Sequence, residues 1–303
     1  MVRNGRPGAT LEAGLVVAAY GRRYRVELAD GRELACVTRG RKSDVACGDR
    51  VSVTRTGGGG VIEAVEPRQT LFYRSDARRQ KLIAANVTQV VVVLAPVPPW
   101  YDDLVNRCIA GAEHAGVQTL IVLNKADLPE APAAAQALDL YTKLGYPVLR
   151  LCAKTDISPL RPRLARHTSV LLGQSGMGKS TIINALVPAA TARVGDISEA
   201  LGSGRHTTTH AELYHLDDAA NIIDSPGLQE FGLNHIAQED LADAFVEFRP
   251  FLGHCRFRDC RHMEEPDCAV ARAAAAGEIA ERRLASYRRI AGELAHAAER
   301  MYE

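Results

Sequence analysis

The sequence predicts three joined units: a small antiparallel β-barrel, a parallel α/β sheet covered by helices on both faces, and a helical C-terminal segment. Three observations carry that reading. Five short alternating runs fill residues 11–66, β-branched runs alternate with helix-period segments from Leu82 onward, and after Phe231 no strand pattern follows. In place of strands, the last part holds a crowd of cysteine and histidine. A chain of 303 residues, 47% apolar and 24% charged, is long enough for several cores and has an ordinary globular composition.

The barrel rests on "GLVVAAY", "YRVELAD", "ELACVTR", "DRVSVTR" and "GGVIEAVEP", each alternating at period two. "ADG" (29–31) signals a hairpin and "TGGGG" (56–60) a flexible turn. Five strands packed this tightly along the chain are the pattern of an OB-fold. Residues 1–82 hold 16 Lys/Arg against 9 Asp/Glu, whereas the rest holds 21 against 27. Arg22, Arg23, Arg25, Arg32, Arg39, Arg41, Arg50 and Arg55 lie in or between the strands. Such a surface either grips nucleic acid or packs on a neighbouring domain, and the charge asymmetry favours an anionic partner. Residues 1–66 are therefore expected to form an RNA-binding OB-fold, and 67–81 a polar, basic linker.

From Leu82 the texture changes. "VTQVVVVLAP" and "QTLIVLNKAD" are runs of the kind buried on both faces of a parallel sheet. "YDDLVNRCIAGAEHAG" and "APAAAQALDLYTKLG" have helical spacing, and "YPVLRLCAK" returns as a strand. "SVLLGQSGMGKSTIINAL" then reads as strand, loop and helix, and "NIIDSPG" as a further strand and its loop. These segments define an α/β unit over 82–235. "EDLADAFVEFRPFLGHC" is expected as an amphipathic helix opening a last unit, 236–303.

The chemistry sits in the loops. "GQSGMGKS" matches the phosphate-binding pattern in full, between a strand and a helix. Gly173, Gln174, Ser175, Gly176, Met177, Gly178, Lys179, Ser180 and Thr181 would cradle phosphates with backbone N–H groups and the helix N-terminus. Lys179 would reach the terminal phosphates, and Ser180 would ligate Mg²⁺. "NKAD" supplies the base reader: the Asp127 carboxylate can accept from guanine N1–H and its amine, whereas adenine would leave it unpaired. Pairing of this kind discriminates by about 10⁴. Lys125 would lie along the base, with Asn124 and Ala126 completing the loop. In "LCAK" (151–154), flanked by Cys152 and Lys154, the Ala153 N–H would meet guanine O6. Asp224 of "DSPG" would hold Mg²⁺ through water and the Gly227 N–H would meet the γ-phosphate. Among Thr207, Thr208 and Thr209 of "GSGRHTTTH", we expect Thr208 to be the second magnesium ligand; taken alone, without the neighbouring motifs, the segment reads better as a polar surface loop. Cofactor GTP, with GDP as product, and Mg²⁺ follow.

The base reader precedes the phosphate cradle, the reverse of the usual order. A circular permutation explains it, because the loops need only meet at one edge of one sheet and compact domains tolerate rotated termini. The rotation sends the second switch loop directly into the C-terminal unit, so loss of the γ-phosphate would pull on that unit. Together the five-strand barrel, "IAANVTQ", "NKAD", "GQSGMGKS", "GRHTTTH", "DSPG" and "CRFRDCRHMEEPDCAV" resemble the circularly permuted, ribosome small-subunit-dependent GTPase A family (RsgA) over nearly the whole chain. The resemblance implies a cytoplasmic GTPase that binds the small ribosomal subunit and its rRNA, is stimulated by it, and acts late in its maturation. Leu228 follows Gly227, where many GTPases place a water-orienting glutamine, so hydrolysis alone should be slow. His206 is the candidate to position water, and contact with phosphate or rRNA is the other reading of it. A small-molecule kinase leaves "NKAD" and "DSPG" unexplained. A nucleotide-gated RNA-binding module with incidental hydrolysis is the remaining alternative.

Cys255, Cys260, His262 and Cys268 stand as C-x₄-C-x-H-x₅-C, a set suited to a closed, structural Zn²⁺ site. His254 fits the spacing less well and reads as a surface residue. Arg256, Arg258 and Arg261 would project from the metal knob toward phosphates. The longest apolar run, "VVVVLAPV", is too short to cross a membrane, and a cytoplasmic monomer is the expectation.

Overall fold

A computed structural model describes residues 11–39, 44–75, 80–188, 210–217, 219–224, 233 and 236–299. The five expected barrel strands are β1 (Leu11–Tyr20), β2 (Arg23–Leu28), β3 (Glu33–Thr38), β4 (Arg50–Thr56) and β5 (Gly59–Val65). Antiparallel pairing of β1 with both β2 and β4, and parallel pairing of β3 with β5, closes the barrel. Alternation places Tyr24, Val26, Val51, Val53 and Ile62 inside and sends the intervening polar residues out.

The stretch expected as a linker is a hairpin instead. Strand β6 (Leu71–Ser75) pairs antiparallel with β7 (Gln80–Ala85). Its pattern was hidden because two short apolar runs, 71–73 and 82–85, are separated by a polar, basic stretch; Phe72 and Ile83 are buried, and the Ala85 N–H donates to Cys47 O at 2.8 Å, leaning the hairpin on the barrel.

The α/β unit is built on β8 (Gln89–Leu94), β9 (Gln118–Leu123), β10 (Val148–Arg150), β11 (Thr168–Leu172), β12 (Ala211–His215) and β13 (Asn221–Asp224). The order is β10-β9-β8-β11-β13-β12, parallel except for β12. Successive valines of β8 divide between two cores: Val90 and Val92 pack on one face, Val91 and Val93 on the other. Helices α1 (Asp102–His114), α2 (Ala131–Ala137), α3 (Asp139–Lys143), α4 (Arg161–Leu164) and α5 (Lys179–Leu186) complete the unit. The single helix expected at 131–145 is broken at Leu138, whose buried side chain sits at the junction, and the break brings Tyr141 to Asn106 with an O–H···O distance of 2.9 Å.

Strand β12, which the sequence reading did not anticipate, does more than widen the sheet. It pairs antiparallel with the far end of β1, Ala18 opposite Glu212 and Ala19 opposite Ala211. A bulge between Val16 and Ala18 bends β1 so that its first half stays in the barrel and its end enters the α/β sheet. Barrel and sheet are thus one continuous eleven-stranded structure.

At the other side, α6 (Gln238–Asp243), a 3₁₀ segment (Val246–Phe251), α7 (Ala269–Ala275) and α8 (Glu281–Glu299) form the C-terminal unit. The amphipathic helix expected here stops at Ala244, because Phe245 adopts an extended conformation and Pro250 lies further along. That geometry stacks Phe245 and Phe248 against Tyr287, with centroids at 5.4 and 5.1 Å. Arg283, 1% exposed, then clasps the unit to α1: it donates to both Glu247 oxygens at 2.5 and 3.1 Å and to Asn106 Oδ1 at 2.7 Å. Asn106 Nδ2 in turn donates to Ser286 Oγ at 2.7 Å. The C-terminal unit is therefore docked on the α/β unit, which makes it a packed body rather than a freely hanging output.

Candidate nucleotide site and metal centre

The described predicted nucleotide residues gather at the carboxyl ends of β9, β10, β11 and β13, one edge of the sheet. Asn124–Asp127 follow β9, Cys152–Lys154 follow β10, Gly173–Thr181 follow β11, and Asp224 ends β13. His206, Thr208, Gly227 and Leu228, together with Thr207 and Thr209, lie outside the described residues.

Asn124 ties three of these loops together. Its Nδ2 donates to Met177 O at 3.0 Å, its Oδ1 accepts from the Ala153 N–H at 3.0 Å, and its own N–H donates to Leu94 O at 2.8 Å. It is 2% exposed, so an unsatisfied amide here would be costly. The contact also changes one expectation. The Ala153 N–H assigned to the purine O6 is engaged by Asn124, because the side chain of a buried bridging residue must satisfy both its ends. Cys152 contributes directly: its thiol hydrogen-bonds the Asp127 carboxylate and holds it below the usual carboxylate range.

The cradle owes its shape to glycine at two positions. Gly173 has φ +149° and a Cβ there would lie 2.3 Å from Val93 O; Gly178 has φ +94° and a Cβ there would lie 2.3 Å from Asn124 Nδ2. Gly178 caps α5, which begins at Lys179. Lys179 Nζ curls over the loop, donating to Gly173 O at 2.6 Å and Gln174 O at 2.8 Å. Burial lowers its pKa and the nearby Asp224 carboxylate opposes that shift. Met177 is fully buried in the core beneath, anchoring the loop whose outer residues Ser175, Gly176 and Ser180 face solvent.

A further loop, 95–101, escaped the sequence reading. Val97 O accepts from Lys125 Nζ at 2.7 Å, Pro98 lies 3.3 Å from the Cβ position of Gly176, and the Tyr101 N–H donates to Gln174 Oε1 at 3.0 Å. Lys125, at φ +56°, is thus pulled toward this loop, and "APVPPWY" gave no signal because its prolines read only as a turn.

Around β12, Glu212 is 4% exposed and ion-paired with Arg25 of the barrel, which also reaches Glu33 at 3.2 Å. Tyr214 OH donates to Glu212 at 3.0 Å and His210 stands 3.6 Å away. Burial would raise the Glu212 carboxyl, but hydrogen bonds from His210, Arg25 and Tyr214 outweigh it and hold it at about 2. The other barrel arginines are less available than their number suggested: Arg32 pairs with Asp30, Arg39 with Glu63 and Arg55 with Glu12. Arg22, Arg23 and Arg50 are exposed and have no carboxylate partner among the described residues, and Arg41 lies outside them.

Cys255, Cys260, His262 and Cys268 converge, with all ligand atoms within 4.8 Å of one another. His262 Nδ1 lies 3.5, 3.6 and 3.4 Å from the three sulfurs, and Cys255 Sγ is 3.9 Å from Cys268 Sγ. A tetrahedron with Zn–S and Zn–N bonds of roughly 2.3 and 2.0 Å has edges of about 3.8 and 3.5 Å, so the set fits a metal of that kind. Burial lowers the His262 pKa, which favours the neutral form that ligates. Tyr287 OH donates to Arg261 O at 2.8 Å and Arg288 to His262 O at 3.3 Å, fixing the loop to α8. His254, Arg256, Arg258 and Arg261 are exposed on it, as expected, and Arg256 sits 5.5 Å over the Phe257 ring.

Residues 65–234, spanning all the nucleotide loops, match the model of the RsgA GTPase family. The small ribosomal subunit biogenesis GTPase RsgA of Nitrosospira multiformis is 52% identical over 96% of this chain and 94% of its own. The chain belongs to the RsgA GTPase family. The RsgA of Nitrosomonas europaea is likewise 52% identical, over 91% of this chain and 90% of its own. Among solved structures, YjeQ from Thermotoga maritima covers 94% of this chain and 99% of its own at 32% identity and TM-score 0.72. YloQ, described as a circularly permuted GTPase, covers 95% and 96% at 26% identity and TM-score 0.68. As in the RsgA family, the chain is a GTP hydrolase with a permuted order of loops, an N-terminal barrel and a C-terminal cluster able to hold a metal ion. No helix among the described residues is long and apolar enough to cross a membrane.

Proposed function

We propose that this GTP hydrolase acts in biogenesis of the small ribosomal subunit, binding the subunit through its rRNA and hydrolysing GTP faster when bound. The observation that carries the nucleotide half is Asn124, which gathers the base-reading loop, the cradle and the 151–154 loop at one sheet edge. In this reading Asp127 pairs with guanine, Lys125 flanks the base, and the O6 contact at Ala153 forms when its N–H is shared with Asn124. Gly173–Thr181 hold the phosphates. Mg²⁺ is held by Ser180, Asp224 and Thr208, His206 positions water, and Gly227 meets the γ-phosphate. The partner half is supported by the names of the relatives and by the exposed Arg22 and Arg23 at the β1–β2 end of the barrel.

The metal is Zn²⁺, since three thiolates and an imidazole at tetrahedral separations leave no ligand position open. The domains divide at 1–66, 67–81, 82–235 and 236–303, with the 67–81 stretch contributing to the β6–β7 hairpin. The protein works as a cytoplasmic monomer. Leu228 supports the second reading, a nucleotide-gated RNA-binding module whose hydrolysis is incidental. Turnover of GTP by the purified chain separates the two, measured alone and with isolated small subunits, using ATP and large subunits as controls. A slow rate that rises many-fold only with small subunits is expected; a flat rate favours the module.

A further inference from the structure

The antiparallel ladder places Ala18 of β1, Glu212 of β12 and Asp224 of β13 on one rung. Residues directly opposite on adjacent strands point to the same face, so Glu212 and Asp224 are two neighbouring acids. Like charges so placed repel each other unless one is neutralised. Arg25 supplies that neutralisation from the barrel, through its part-buried ion pair with the buried Glu212. The same seam holds the end of the threonine-rich segment. His210, the residue after Thr209, stacks on Tyr20 with centroids 4.2 Å apart and faces Glu212. Tyr20, in turn, leads into the turn bearing the exposed Arg22, after which the exposed Arg23 opens β2. Barrel, threonine segment and Asp224 therefore meet at a single acid.

We propose that Arg25 and Glu212 are positioning residues for hydrolysis: RNA engaged at the β1–β2 end of the barrel shifts β1, and the Arg25–Glu212 pair passes that shift across the rung to Asp224. The inference rests on the function proposed above. RNA phosphates at Arg22 and Arg23 pull on the two-residue turn that ends β1. Because β1 is hydrogen-bonded to β12 beyond its bulge, its displacement carries Ala18 and Ala19 with it, and Glu212 follows through both backbone and side chain. Asp224 then moves relative to Lys179, whose charge it already feels. The link needs no movement of the C-terminal unit.

The test compares the full-length wild type with E212Q, R25M and the double variant R25M/E212L. The readouts are GTP turnover alone and with small ribosomal subunits, and cosedimentation with those subunits. The ratio of stimulated to unstimulated turnover is expected to fall at least tenfold in each variant. The loss should lie in the stimulated kcat, while the subunit concentration giving half-maximal effect stays within twofold of wild type. The double variant leaves no buried charge unpaired, so it keeps the comparison sound if a single variant folds poorly. A ratio within twofold of wild type in the folded variants overturns the proposal, including the case in which both rates drop together as a purely structural role predicts. Restoration of the ratio in R25M/E212L also overturns it, as does loss of subunit binding in R25M, which would make Arg25 an RNA contact. If the wild type itself shows no stimulation, the function proposed above fails and takes this inference with it, a result distinct from failure of the link alone.

Discussion

The α/β unit is gripped from two sides in different ways. Toward the barrel the seam is a strand pairing, two register positions long, with a part-buried ion pair and a tilted ring contact beside it and Val17 and Cys47 packed into the core of the sheet. Toward the C-terminal unit the seam is helix packing, with an aromatic trio and the Arg283–Glu247–Asn106 network behind it. The first lies on the rung of Asp224, whereas the second joins α1 and α8. A short strand pairing with a charge pair next to the chemistry suits transmission. A broad, apolar seam suits holding an orientation, because packed cores resist continuous deformation.

The largest effect should come from the metal. Structural zinc contributes on the order of 10 kcal/mol to the fold of its own loop, so C260S should lose the ion and loosen α7 and α8 while the barrel stays folded. Metal content by elemental analysis, together with hydrogen exchange across 255–299, checks this; full zinc retention would refute the ligand set. Next is K179A, which touches neither seam. Removing a phosphate-clamping charge should lower turnover by about 10²–10³-fold with metal content and melting temperature unchanged, and wild-type turnover would sink the site assignment.

R283M attacks the broad seam. It strands Glu247 in a buried position, and breaking such a pair costs about 3–5 kcal/mol. A denaturant titration should show that loss, while R283M/E247L should recover most of it. No recovery would mean that the guanidinium acts through its packing on Phe245, 4.4 Å away, rather than through its charge. The narrow seam has the smallest signature, seen in pH. The Glu212 carboxyl falls from 4.5 to about 2 on folding. A depressed acid stabilises the fold above its unfolded value and loses that contribution as pH falls through the folded one. The stability difference between wild type and E212Q should therefore shrink by about 3 kcal/mol at most between pH 5 and pH 2. A constant difference across that window would show the pair to be unimportant to stability.

Much of this was legible in residue types. The eight-residue cradle, the "NKAD" loop and the Cys/His set each have a local reason for being what they are: backbone that must pass close to phosphate, a carboxylate that matches one purine, thiolates that suit one class of metal. The five barrel strands and the parallel strands likewise follow from period-two alternation and from β-branched runs. What failed was anything set at a distance. The 67–81 segment looked unstructured because its contacts are supplied by a partner strand, Asp49 and Asn86, not by its own composition. The helix expected at 239–255 gave way because Phe245 and Phe248 serve Tyr287, forty residues on.

The arginines of the barrel show the same limit. Counted along the chain they make a basic surface, but folding gives Arg25, Arg39 and Arg55 to carboxylates brought in from other strands and Arg32 to Asp30 of its own turn, and leaves Arg22, Arg23 and Arg50 exposed. The sequence by itself determined the family, the nucleotide and the metal ligands, since those depend on short spacings that chemistry constrains locally. Only the tertiary structure decided that Ala153 shares its N–H with Asn124, that Cys152 serves Asp127, and that the barrel's first strand crosses into the catalytic sheet. Those facts depend on which strands lie side by side, and side-by-side placement is fixed by the burial of whole faces rather than by any one motif.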